Sequence, residues 1–120
     1  MATFRFRNFK VYQDAKKFRQ LVRKILKKFP SDERYALTDQ ISRSCLSIVL
    51  NIAEGSAKKS DKEFSRFLEI SIASVNEVVA GFDLALDDTL ISQEDFSQIE
   101  NEAENIAKQL GGFMKVLRKR

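Results

Sequence analysis

Histidine does not occur anywhere in this chain of 120 residues. Its absence removes Ser-His-Asp and Cys-His nucleophiles, histidine-ligated zinc, the Glu-x-x-His di-iron bundle and every ribonuclease that works through a histidine. Acid–base work would fall to Asp, Glu, Lys, Tyr or Cys alone. A single cysteine, Cys45, excludes an intramolecular disulfide. Proline occurs once and glycine four times, a balance that suits a helical protein. No uninterrupted apolar run approaches the roughly 20 residues of a membrane span. The opening MATFRFRNFK carries charge but no following apolar block, unlike a secretory signal. The expected address is the cytoplasm, with no membrane partner.

What the chain does have is 43% apolar and 32% charged residues, enough for one modest core in a single domain over 1–120. The net charge of +4 conceals a division along the sequence. Residues 1–30 carry ten Lys/Arg against Asp14 alone, and residues 31–60 balance at four and four. Residues 61–105 set twelve acids against Lys62 and Arg66, and the tail from 106 adds five cations and no acid. The chain is electrically segmented.

Apolar periodicity predicts four helices, at about 9–29, 38–54, 60–88 and 92–118. Val11, Ala15, Phe18, Val22, Ile25 and Phe29 form a heptad seam in the first, which Pro30 ends before a turn beginning at Ser31-Asp32-Glu33. Asn8 is the expected N-cap of this helix and Thr38 that of the second, with Gly55 as the residue just past the second helix's end. The second helix has room to begin a turn earlier, since no strong breaker stands at 32–34. Ser60-Asp61-Lys62-Glu63 reads as a capping box, and Ser92 with Glu94 and Asp95 opens the fourth helix at its dipole's positive end. Gly111-Gly112 is expected to loosen the last turns. Short connections between long helices make neighbours antiparallel, so the fold class is an all-α, up-down-up-down four-helix bundle.

The second helix is apolar over too wide an arc. With Ile41 as origin, Leu37, Cys45, Ile48 and Ile52 form the core stripe, but Val49, Ala53, Leu46 and Leu50 continue round to about 180°. Such a helix needs cover on a second side. Either the arm with Phe4, Phe6 and Phe9 folds over Leu46, Val49, Leu50 and Ala53, or a second copy of the chain does. A narrow polar ridge, Gln40, Arg43, Ser44, Ser47, Asn51 and Glu54, borders the stripe. It is expected to fix helix register through hydrogen bonds, the other reading being the lining of a channel or groove in an oligomer.

No motif rises to an active site, so no enzyme activity, cofactor or metal is expected. Asp87-Asp88 and Glu100, Glu102 and Glu104 point in different directions on a helix and read as solvated faces. GSAKKS at 55–60 lacks the spacing and the preceding strand of a phosphate loop, and reads as a helix connector. Cys45, on the core stripe, reads as packed and unreactive.

ERYALTDQISRSCLSIVLNIAEG, with KKSDKEFSRFLEISIASVNEV after it and FRNFKVYQDA near the start, resembles the four-helix-bundle proteins encoded in intervening sequences of bacterial 23S rRNA genes. NIAEG and KEFSRFL carry most of the likeness, which covers nearly the whole chain. The resemblance implies a left-handed bundle assembled as a ring, a homopentamer. That family is in turn similar to the accessory protein of diversity-generating retroelements, a basic barrel linked to nucleic acid.

With that likeness, the basic residues become candidates for phosphate contacts with RNA or DNA. Lys10, Lys17, Lys24 and Lys28 follow one line of the first helix, and Lys16, Arg23 and Lys27 an adjacent one. Arg5 and Arg7 in the arm join them, with Lys115, Arg118, Lys119 and Arg120 in the tail. Two plainer readings stand beside this one. The face is simply solvated, or it lies against the acidic third and fourth helices. The alternative function is an oligomeric scaffold that recruits a protein partner.

Overall fold

The computed structural model describes residues 3–31 and 34–120, and within them the chain forms four long α-helices. These are α1 (Lys10–Leu26), α2 (Asp39–Ser56), α3 (Asp61–Asp87) and α4 (Gln93–Lys119). A 3-10 turn, Arg5–Asn8, precedes α1, and a π-helical turn, Arg34–Thr38, runs directly into α2. No strand occurs among the described residues. The molecule measures 46 × 23 × 20 Å, which suits helices of 27 residues lying along the long axis.

Each helix buries the stripe its sequence period defines. Phe18 and Val22 of α1, Ile41, Ile48 and Ile52 of α2, Phe64, Leu68 and Phe82 of α3, and Ile99, Ile106 and Leu110 of α4 are all fully enclosed. The principal packing is of α1 on α2 and α4, and of α3 on the same two helices, so α1 and α3 lie on a diagonal of the bundle. Partner order gives the relative directions. Lys28 meets Asp95 at one end of α1 and α4 while Phe9 meets Phe113 at the other. Ser44 meets Glu77 while Gly55 lies against Phe67. Both pairs of helices therefore run in opposite senses.

Several end signals are corrected by the structure. Phe9, not Asn8, occupies the N-cap of α1, with no side-chain cap, because Asn8 is held in the preceding 3-10 turn. Thr38 has helical backbone angles and makes no cap bond, since the π turn already feeds α2. This bears out the earlier start anticipated for that helix. Asp32 and Glu33 lie outside the described residues. α1 ends at Leu26, and Lys27–Phe29 follow as turns before Pro30. Ser60 and Ser92 act as expected, accepting from the amides of Glu63 and Asp95 at 3.1 and 3.0 Å. Thr89, at φ 57°, closes α3 in the left-handed conformation that glycine usually supplies there. Gly111 and Gly112 sit inside an unbroken α4.

Gly55 does not end α2 but lies within it, buried and with φ outside the left-handed region. Its role is close approach. A Cβ there would stand 2.7 Å from Phe67 Cβ and 2.9 Å from Phe64 Cδ1, and one on Gly81 would stand 2.5 Å from Ile41 Cγ1. Two glycines thus let α2 and α3 meet closely, one near each end of their contact.

Candidate functional site

The two basic rows of α1 border different neighbours, and the structure separates committed cations from uncommitted ones. In the row beside α4, Lys10 pairs with Asp14 at 2.6 Å and Lys28 with Asp95 at 2.9 Å. Asp14 also accepts from Gln109 at 2.7 Å. Lys10 first, then Gln109, holds its carboxyl below the usual aspartate range. Lys17 and Lys24 of the same row are exposed and make no ion pair among the described residues. In the other row, Lys16 lies over the Tyr12 ring, 5.4 Å from its centroid. Arg23 and Lys27 are exposed beside α2.

Arm and tail are largely used within the fold. Arg5 donates through Nε and Nη2 to the Ser56 carbonyl at 3.2 and 2.9 Å, and its guanidinium lies over Phe9 and Phe64. A planar cation suits that place, because the last carbonyls of α2 lack intrahelical partners and two aromatic faces flank them. Arg5 therefore caps a helix while its side chain stays exposed. Arg7 covers the ring of Phe4 at 5.0 Å. Arg118 reaches Glu69 at 3.3 Å, and Arg120 makes a two-pronged bond to Asp61 at 2.9 Å. That bond lowers the Asp61 pKa. Lys115 and Lys119 remain exposed without an ion pair among the described residues.

Between α1 and α2 runs a groove that sequence reading only half identified. Arg19, Val22, Arg23, Ser42 and Cys45 line one hollow of about 260 Å³. Arg23, Leu26, Lys27, Thr38 and Ser42 line the next, of about 240 Å³. The two adjoin through Arg23 and Ser42. Cys45 is closed into the core, and burial pushes its thiol pKa up to about 12 despite the nearby Arg19 charge, so it is inert at neutral pH. Thr38 Oγ1 is buried with no hydrogen-bond partner among the described residues. Arg19, Thr38 and Ser42 were missed. The available signal was the spacing of Arg19, Arg23 and Lys27 by four, which places them on one side of a helix.

The wide apolar arc of α2 divides in two. Val49 is 7% exposed and belongs to the chain's own core, while Ala53 is half-buried. Leu46 and Leu50 remain 41% and 53% exposed. The described part of the arm does not cover them. It caps the other end of α2 through Arg5, sets Phe6 against Tyr12 and packs Phe9 on Phe64 and Phe113.

The polar ridge faces α3 in part. Ser44 donates to Glu77 at 2.6 Å, Gln40 bonds the same carboxylate, and Ser74 donates to Ser47 at 2.9 Å. Ser44 first, then Gln40, holds the Glu77 carboxyl below the usual range. Asn51 turns back onto Ser47 of its own helix, at 2.8 Å to the carbonyl and 2.9 Å to Oγ. Arg43 pairs with Asp39 one turn away, and Glu54 is exposed. Asp87, Asp88, Glu100, Glu102 and Glu104 are exposed as well, Glu104 in an ion pair with Lys108. No helix among the described residues is long and apolar enough to cross a membrane.

No curated protein matches the chain. Among solved structures, it is similar to a protein with unknown function from the S23 ribosomal protein family, from Bacteroides thetaiotaomicron. The TM-score is 0.80 at 27% identity, with 88% of this chain and 98% of that one covered. That agreement extends through the bundle, and the sequence model of 23S rRNA-intervening sequence proteins matches residues 7–112, from the arm to the glycine pair of α4. The chain belongs to the 23S rRNA-intervening sequence protein family.

Proposed function

We propose that this protein is a non-enzymatic, homo-oligomeric bundle that holds the phosphate backbone of RNA or DNA along the exposed flanks of α1. The observation that carries the reading is the set of exposed cations, Lys17, Arg23, Lys24 and Lys27, without acidic partners among the described residues. Acid-rich α3 lies on the bundle diagonal from α1, so its carboxylates do not neutralise this face. A strip of unpaired positive charge attracts a polyanion and releases its counterions on binding. Most phenylalanines are in the core or the arm, so backbone charge rather than base stacking supplies the affinity.

The assembly rests on Leu46 and Leu50, an apolar pair on one helix face that neither the core nor the described part of the arm covers. A ring of five is the form the family resemblance suggests. Leu50→Glu is expected to dissociate it with little loss of helicity, read by light-scattering mass and circular dichroism. An unchanged mass removes α2 from the interface.

Anisotropy of labelled single-stranded RNA, titrated with nuclease-treated protein across a salt series, tests the binding. The expected result is a steep loss of affinity with salt, at about 0.7–0.9 in log–log slope per phosphate contact. No binding to RNA or DNA at low salt overturns it. The exposed Leu46–Leu50 face then favours the second reading, an oligomeric scaffold for a protein partner.

A further inference from the structure

We infer that the groove between α1 and α2 is a phosphate subsite, in which Arg19, Arg23 and Lys27 supply charge while the Ser42 and Thr38 hydroxyls orient the phosphodiester oxygens of a nucleic-acid strand. The inference rests on the nucleic-acid reading above and names the place on the molecule where that reading becomes a built site. Its first support is chemical. Among the described residues, the lining of the two adjoining hollows offers cationic and hydroxyl donors and no carboxylate, so the ligand it suits is an acceptor-rich anion. Val22, Leu26 and Cys45 form an apolar floor that lowers the local dielectric and strengthens each charge-assisted bond.

The second support is independent of charge. Thr38 Oγ1 is buried without a hydrogen-bond partner among the described residues, and an unsatisfied buried hydroxyl is uncommon and costly. Thr38 lines the hollow, and rotation about its χ1 would bring this enclosed hydroxyl to a phosphate oxygen there. Geometry selects a strand over a lone anion. Arg19, Arg23 and Lys27 rise by about 6 Å per step along α1, a step comparable to that between successive phosphates of an extended strand. Lys17 and Lys24, on the other flank, add charge without hydroxyls beside them.

Ser42→Ala and Thr38→Val test the site, because neither changes the protein's charge. In the RNA anisotropy assay, each is expected to weaken binding about three- to tenfold with the salt slope unchanged. Arg23→Gln is expected to weaken it about tenfold and to lower the slope by about one contact. Unchanged thermal melts keep these losses distinct from misfolding. Wild-type affinity in both hydroxyl variants, with loss confined to Lys17→Gln/Lys24→Gln, overturns the groove and leaves nucleic-acid binding standing. Failure of the unaltered protein to bind RNA or DNA at low salt overturns both. Inorganic phosphate, titrated at matched ionic strength and read by amide shifts of Thr38 and Ser42, separates the two sources of this chemistry. Shifts with phosphate but no RNA binding would overturn the strand as its ligand.

Discussion

The seam between α2 and α3 and the seam between α1 and α2 solve the same packing problem in opposite ways. The first is built from small residues. Gly55 and Gly81 let the backbones approach, and Ser71, Ser74 and Ser44 fill the space between with hydrogen bonds to Ile48 carbonyl, Ser47 and Glu77. The second has the larger apolar residues Val22 and Leu26 along it, with arginine and lysine at its edge. Long charged side chains cannot close a seam while their heads stay in water, so a groove remains. One seam spends its contacts on fixing register, and the other is left able to receive something. That difference underlies the groove proposed between α1 and α2.

Adding a single methyl group to the close seam should break it most severely. Gly55→Ala is expected to cost about 1–3 kcal/mol of unfolding free energy, because Phe67 Cβ cannot move aside without its backbone. Urea melts measure this, and a loss within a few tenths would mean the helices separate without penalty. Ser71→Ala comes next, at about 1 kcal/mol, for the lost 3.0 Å bond to the Ile48 carbonyl. An effect that small at a fully buried position would identify the serine seam as register control more than bulk stability.

Gly112→Ala reverses the sign. Nothing lies within 4 Å of a Cβ at this position, inside an unbroken helix. A gain of about 0.5–1 kcal/mol is expected from the reduced freedom of the unfolded chain, and a loss would show that α4 has a contact there in the assembly.

The smallest effect is electrostatic. The Glu77 pKa is lowered in the folded chain by the Ser44 and Gln40 bonds. Its contribution is therefore complete above the ordinary glutamate value of 4.5 and is lost as pH falls through the depressed folded value. Glu77→Gln should flatten the acid side of the stability profile relative to the parent while leaving the basic side unchanged. Identical acid limbs for the two proteins would remove the carboxylate from the seam's energetics.

Much of this was legible in the residues. The heptad seam of the first helix and the core stripe of the second name residues that are buried with the single exception of half-buried Leu37, because a bundle helix has one buried stripe and the period exposes it. The caps at Ser60 and Ser92 follow from a local reach of three residues. The misreading of Gly55 shows where local signals stop. A glycine near a helix end looks the same whether it turns the chain or admits a neighbour, and only the position of Phe67 distinguishes the two. Arg5 likewise looked like a free cation until Ser56, 51 residues away, proved to be its partner.

The sequence by itself determined four amphipathic helices, their approximate limits, the division of charge along the chain and the excess of apolar surface on α2. All are properties of residues within a few turns of one another, where helical geometry fixes the neighbours. Tertiary structure alone decided that α1 and α3 are diagonal, that Val49 is core while Leu50 is surface, and which cations already have partners. It also brought Arg19, Arg23 and Lys27 opposite Thr38 and Ser42. These outcomes depend on which helix lies beside which, and at what rotation, and that is set by the packing of whole faces rather than by any local run of residues.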